Sequence, residues 1–304
     1  MSAPQPSGER LVDVGDDFTL CHETFGDPAD PPLLLVMGLG MQMIAWNEDF
    51  CAGLAAEGFH VVRFDNRDTG RSTSGHGAPP GLMQLATRRF GSHQYALEDM
   101  ANDAAGLLRE LDLAPAHVVG ASLGGMVGQT LAARHPESVR TLTSIMSTTG
   151  NRFRGQPALA VYRHLLAEAP TEREAFIDHV AKIFAVIGSP GFPTDPEEVR
   201  ARAARSFDRG LNRAGTGRQM AAVLKSGDRT RDLRRITAPT LVIHGSADRL
   251  VAPSGGRATA AAIPGAELMV IEGMGHDLPR ALWPRVIAAV AERARRADRV
   301  LQTA

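Results

Sequence analysis

The sequence predicts an α/β protein, with a mostly parallel central sheet flanked by helices and interrupted once by a helical insertion. Three observations carry this. Short apolar runs alternate with helical spacing from Leu33 to Met146, and again from Thr240 to Arg296. Between Asn151 and Arg235 the alternation gives way to helical spacing alone. At Ser122 an apolar run passes into a helical pattern across closely spaced glycines.

The elements follow in order. Two weak strand patterns, Arg10–Val14 and Phe18–Phe25, are broken by the turn-prone Gly15-Asp16-Asp17. After Pro31-Pro32, the run Leu33–Met37 has the apolar continuity of a strand covered on both faces. Asn47–Glu57 is helical in spacing and stops at Gly58, a residue suited to ending a helix. His60–Phe64 is the next strand. In Ala96–Leu113, residues Leu97, Met100, Ala104, Leu107, Leu108 and Leu111 recur on one helical side. Strand Ala116–Ala121, helix Leu123–Arg134 and strand Arg140–Met146 come next.

Candidate helices of the insertion are Ala158–Ala169, Thr171–Val186, Pro196–Arg205 and Gly217–Leu224, punctuated by Pro190, Pro193 and Gly210. Strands return at Thr240–His244 and Glu267–Ile271, with helices at Ser254–Ile263 and Trp283–Arg296. The expected organisation is one sheet domain built from residues 1–149 and 236–304, with residues 150–235 inserted as a helical cap or lid. Arg200, Arg202, Arg205, Arg209, Arg213 and Arg218 are interleaved with Glu197, Glu198 and Asp208, which reads as a solvated helical face.

Composition narrows the function. A formal net charge of −1 gives no reason to expect nucleic acid or an anionic membrane as partner. Cys21 and Cys51 are too few for a cysteine-rich metal site, and they read as reduced, half-buried thiols of a cytoplasmic protein. Apolar runs such as Val286–Ala291 are far short of a membrane span.

The chemistry centres on Gly120-Ala121-Ser122-Leu123-Gly124, which matches G-x-S-x-G between a strand and a helix. A junction this sharp strains the serine backbone and tolerates only small neighbours, which Gly120 and Gly124 provide. A serine hydroxyl then needs a general base and a group to orient that base. Asp248 lies just past the strand Thr240–His244, and His276 lies in the Gly-rich loop beyond the last strand. Both loops fall at the sheet edge that carries Ser122. Competing histidines His60, His117 and His244 sit in or beside strands and read as core residues. Ser144 to Arg154 contains no carboxylate that could replace Asp248, and Asp277 reads as structural. The oxyanion donors are expected to be the backbone amides of Leu123 and of Leu39, in the turn Gly38-Leu39-Gly40. Met37, Met41, Met43, Trp46, Met126 and Met146 suggest an apolar, adaptable substrate pocket, although core packing explains any one of them as well.

Gly38-Leu39-Gly40 also imitates the opening of a dinucleotide fingerprint, with Asp65 in place of the ribose-binding acid. Met43 occupies the third glycine position, so no nucleotide cofactor and no metal are expected. Asp65-Asn66-Arg67-Asp68-Thr69-Gly70-Arg71-Ser72 reads instead as a polar turn whose charges tie loops together.

Together, Met37-Gly38, Asp65…Arg67…Gly70…Ser72, the Ser122 motif, Gly245…Asp248 and Gly275-His276 resemble the α/β-hydrolase fold. The segments Phe25–Pro31, Leu34–Gly38, Arg67–Thr73 and Gly273–His276 are similar to the aclacinomycin methylesterase-like bacterial esterases. That resemblance implies cofactor-free hydrolysis of a small-molecule ester by Ser122, Asp248 and His276, with oxyanion donors at Leu39 and Leu123. The same triad can cleave a lactone, a thioester or a C–C bond beside a ketone. A ligand receptor with a vestigial triad is the alternative outside enzymes.

Overall fold

The computed structural model describes residues 5–15, 17–161 and 169–303. Its strands are β1 (Arg10–Gly15), β2 (Phe18–Phe25), β3 (Pro32–Val36), β4 (His60–Phe64), β5 (Ala116–Ala121), β6 (Val139–Ile145), β7 (Thr240–Gly245) and β8 (Glu267–Ile271). They form a single sheet in the order β1-β2-β4-β3-β5-β6-β7-β8. β2 runs antiparallel to both β1 and β4, and every pairing from β4 onward to β8 is parallel. The α/β class and the positions of all eight strands agree with the sequence to within a residue or two.

The unbroken apolar run of β3 has a direct cause. Leu34 and Val36 enter the core on one face, with Leu107, Val118 and Leu131; Leu33 and Leu35 enter the other, with Leu54, Val119 and Val286. Alternate side chains point to opposite faces, and helices cover both. Leu97–Glu110 and Leu123–Arg134 lie on the first face; Glu48–Ala56 and Trp283–Thr303 lie on the second. The helix starts have local causes too. Asn47 accepts the Asp49 amide, and Asp195 accepts the Glu197 amide ahead of Pro196 at the first helical position.

Between β6 and β7 lie the helices Arg173–Ile187, Pro196–Arg209, Arg213–Ser226 and Thr230–Leu233. Most of the helix expected over residues 158–169 lies outside the described residues. Phe176, Ile177 and Ala203 form a small apolar cluster joining the first two of these helices, while Ala222 and Leu233 belong to the main core.

The arginine-rich face departs from expectation. The Arg209 side chain is largely covered and pairs with Asp65 at 2.6 Å and Glu9 at 2.7 Å. Arg218 is buried against Asp68, and Arg205 reaches Glu48 at 2.7 Å. Asp65 and Asp68 are themselves completely buried, and a buried carboxylate is costly without a cation beside it. Arg209 and Arg218 therefore join the helical stretch to the polar turn after β4 instead of facing water, whereas Arg205 and Arg213 are exposed, as expected. The polar turn that supplies Asp65 and Asp68 ties segments together as expected. The cysteines also differ: Cys21 and Cys51 are free but fully buried, and burial pushes both thiols up to about 12. Among the described residues no helix is long and apolar enough to cross a membrane.

Candidate active site

From β3 the chain moves to β4 on one side and later to β5 on the other, so the sheet reverses its winding between β3 and β5. Crevices for ligands form outside the carboxyl ends of strands at such a switch point. Here the register pairs Val36 with Gly120. The residues that follow each strand are thereby neighbours: a Cβ added to Gly38 would lie 3.4 Å from the Ser122 Cβ.

Ser122 has φ 55° and ψ −118°, a backbone conformation costly for a side-chain-bearing residue. The surroundings hold it there. Its amide donates to the Ile145 carbonyl at 2.9 Å, and Ser147 Oγ donates to its carbonyl at 2.8 Å. A Cβ at Gly120 would meet the Gly124 carbonyl oxygen at 2.2 Å, and one at Gly124 would meet the Val36 carbonyl oxygen at 2.0 Å. Both glycines are thus required by close backbone approach.

The loops after β7 and β8 bring the other two groups to the same place. His276 Nε2 lies 3.0 Å from Ser122 Oγ, and His276 Nδ1 lies 2.7 Å from Asp248 Oδ2. The other Asp248 oxygen accepts the Leu250 amide at 2.9 Å and the Val251 amide at 2.8 Å. Burial alone would raise the Asp248 carboxyl. The adjacent His276, the His244 ring and the Val251 amide outweigh it and hold the carboxyl at about 2. Asp248 is therefore an ionised carboxylate aimed at His276. That arrangement can take a proton from a serine hydroxyl and stabilise the resulting imidazolium.

Residues 31–279 match the α/β-hydrolase fold family. The chain belongs to it. It is 32% identical to rhodomycin D methylesterase DnrP of Streptomyces peucetius, covering 95% of this chain and 98% of that protein. It is equally identical, at 32%, to rhodomycin D methylesterase DauP of Streptomyces sp. strain C5, over 93% of this chain and 97% of the relative. Among solved structures, a hydrolase from Pseudomonas aeruginosa PA01 superposes with a TM-score of 0.70 at 25% identity, covering 95% of this chain and 98% of that one.

In this α/β hydrolase the remaining expected site residues divide. The turn Gly38–Met41 is closed by the Met41 amide donating to the Gly38 carbonyl, with Gly40 at φ 64°. Leu39 occupies its second position and Gly40 its third, the pattern of a type II turn. Among the described residues neither the Leu39 amide nor the Leu123 amide has an acceptor. Met41 is partly buried and packs against the second core cluster. Met126 and Met146 are buried next to the Ser122 turn, at 7% and 4% exposure. Met43 packs fully buried with Cys21 and Ile44, apart from the other expected pocket residues, while Trp46 stacks on Phe50 within the second core cluster, which also holds Met37, Ala121 and Met146. The 3-10 turn Met43–Ala45 buries Met43 and Ile44.

Several contributors escaped the sequence reading. His244 lies 3.4 Å from Asp248 Oδ2 and bonds the Val251 carbonyl at 2.8 Å, so it is a support for the acid as well as a packed residue. The His276 amide donates to the Ile187 carbonyl at 2.7 Å, and the Gly275 amide donates to Ser189 Oγ at 2.8 Å. Ser189 in turn donates to Asp277, whose carboxyl is pushed up by burial against the opposing effect of Ser189 and Thr194. The end of helix Arg173–Ile187 therefore braces the histidine loop. Nothing in the local sequence marks these residues, because each acts on a partner far along the chain.

Proposed function

We propose that Ser122, His276 and Asp248 hydrolyse a small-molecule carboxylic ester through an acyl-enzyme. The observation that carries this is the continuous contact from Asp248 through His276 to Ser122, at 2.7 and 3.0 Å, on a strained strand-to-helix turn. Ser122 Oγ attacks the ester carbonyl while His276 Nε2 takes its proton. The oxyanion of the tetrahedral intermediate is received by the amides of Leu39 and Leu123, and the latter opens a twelve-residue helix whose N-terminal end favours negative charge. His276 then gives the proton to the leaving alcohol, and afterwards activates the water that releases the acid.

The rhodomycin D methylesterases support a methyl ester, with a small alcohol and a larger acid, as the substrate class. Met41, Met126 and Met146 would line an apolar, adaptable pocket, and residues 150–235 would form its cap. The free thiols Cys21 and Cys51 support a cytoplasmic setting.

The test is hydrolysis of a p-nitrophenyl ester series and of aromatic methyl esters by wild type and Ser122→Ala. Turnover should fall by about three orders of magnitude or more in the variant, with an almost unchanged melting temperature. Retained turnover would sink the assignment.

A further inference from the structure

The loop that follows β3 is held from above by two glutamines. Gln219, on helix Arg213–Ser226, is completely buried. Its Oε1 accepts the Gly40 amide at 2.8 Å, and its Nε2 donates to the Arg67 carbonyl at 2.8 Å and to Thr69 Oγ1 at 2.7 Å. One side chain thus bolts the Gly38–Met41 turn to the polar turn after β4. Gln42 makes the reciprocal connection. It is also buried, its Nε2 donates to the carbonyls of Ser206 and Gly210 at 2.7 Å each, and its Oε1 accepts from Arg209 at 2.9 Å. Thr216, one turn before Gln219, fills the space over Gly40: a Cβ there would lie 2.7 Å from its hydroxyl.

A type II turn can flip its central peptide, because two backbone torsions can change together without moving the chain ends. That central peptide joins Leu39 to Gly40, and its N–H is the group Gln219 holds. Holding it keeps this peptide from flipping and, with Thr216 packed over Gly40, anchors the whole turn, including the Leu39 N–H one peptide earlier, against the polar turn after β4. A buried amide side chain with its acceptor and both donor hydrogens satisfied is a rigid support.

We infer that Gln219 is a positioning residue for the oxyanion hole, so that the helices between β6 and β7 complete the catalytic site by holding the Leu39 amide in place. This rests on the reading of Leu39 as an oxyanion donor. The ground-state ester carbonyl needs that amide less than the tetrahedral oxyanion does, so loss of Gln219 should lower kcat and leave KM nearly unchanged.

The experiment compares wild type with Gln219→Met and Gln219→Glu, using the best p-nitrophenyl ester and an alkyl trifluoromethyl ketone of matching chain. Ser122 Oγ adds to the ketone carbon, its proton passes to His276, and the carbonyl oxygen becomes an oxyanion that reads the hole directly. Gln219→Met should lose about ten- to a hundredfold in kcat, with KM within about twofold, and should bind the ketone more weakly by a similar factor. In Gln219→Glu, the protonated carboxyl imitates the amide and the ionised one turns a negative charge on the Arg67 carbonyl. Its kcat should therefore acquire a falling limb as pH rises, absent from wild type. Unchanged kcat and ketone affinity in Gln219→Met overturn the inference. If that variant does not fold, an unchanged pH profile in Gln219→Glu overturns it.

Leu39→Pro separates the inference from the reading beneath it. Proline suits the second position of a type II turn and deletes only the N–H, with Leu39→Ala as the side-chain control. Full activity in Leu39→Pro refutes Leu39 as donor. Loss there, with full activity in Gln219→Met, refutes Gln219 alone.

Discussion

Asp248 shows how much one carboxylate is asked to do. It is buried, accepts two backbone amides and faces two imidazole rings. Replacing it with Asn would keep the size but remove the charge that favours the imidazolium and the correct His276 tautomer. Asp248→Asn should therefore lower kcat about 10⁴-fold, measured at saturating ester; an unchanged kcat would remove Asp248 from the mechanism. The acid limb of stability follows from the same contacts. The folded carboxyl lies at about 2, below the ordinary value of about 4. A lowered folded value stabilises the protein above the ordinary pKa, and that share is lost as pH falls through the folded one. Wild type should exceed Asp248→Asn by about 2 kcal/mol at pH 5, with the gap closing between pH 4 and pH 2 in urea titrations. The convergence of Ser122, Asp248 and His276 was legible because chain order and strand ends place all three on one sheet edge. Gln219 was not, since a lone glutamine on a helix looks like a surface residue and its partner Gly40 lies 179 residues away.

At the scale of elements, the strands were legible from apolar runs bounded by turn residues, and most helix bounds from spacing and caps. The reach of the arginines was not. A charge pattern on helix Pro196–Arg209 gives the same signal whether it meets water or a buried acid in a distant turn. Which it meets is decided by the tertiary docking of that helix over Asp65. The Arg209–Asp65 contact gives this a measurable consequence. Arg209→Met leaves Asp65 buried without its cation and should cost about 3–5 kcal/mol in urea unfolding. Asp65→Asn combined with Arg209→Met should cost less than the two single changes added together, because the stranded charge is gone. Strict additivity would mean that the two groups are not energetically coupled.

At the scale of the molecule, the site draws on the ends of β3, β5, β7 and β8 and on helices that no strand order specifies. The sheet's share rests on two extensive apolar clusters, whereas helices Arg173–Ile187 and Pro196–Arg209 share only a small one, centred on Phe176, Ile177 and Ala203. Their attachment to the sheet relies on ion pairs and hydrogen bonds from Arg209, Arg205 and Gln42. Regions with few apolar contacts open at lower free energy than the core. These two helices should therefore open as a unit while the sheet stays folded. Opening releases Gln42 from Ser206 and Gly210 and the His276 amide from Ile187, so activity should be lost with it. Native-state hydrogen exchange should show opening free energies for amides of the two helices well below those of β3 and β5. In urea, ester turnover should disappear at a lower concentration than the far-ultraviolet signal of the sheet, and a stabilising ketone adduct on Ser122 should draw the two transitions together. Coincident transitions, with uniform exchange across helices and strands, would instead make the molecule one cooperative unit, its polar contacts as strong a bond between these helices and the sheet as a shared apolar core.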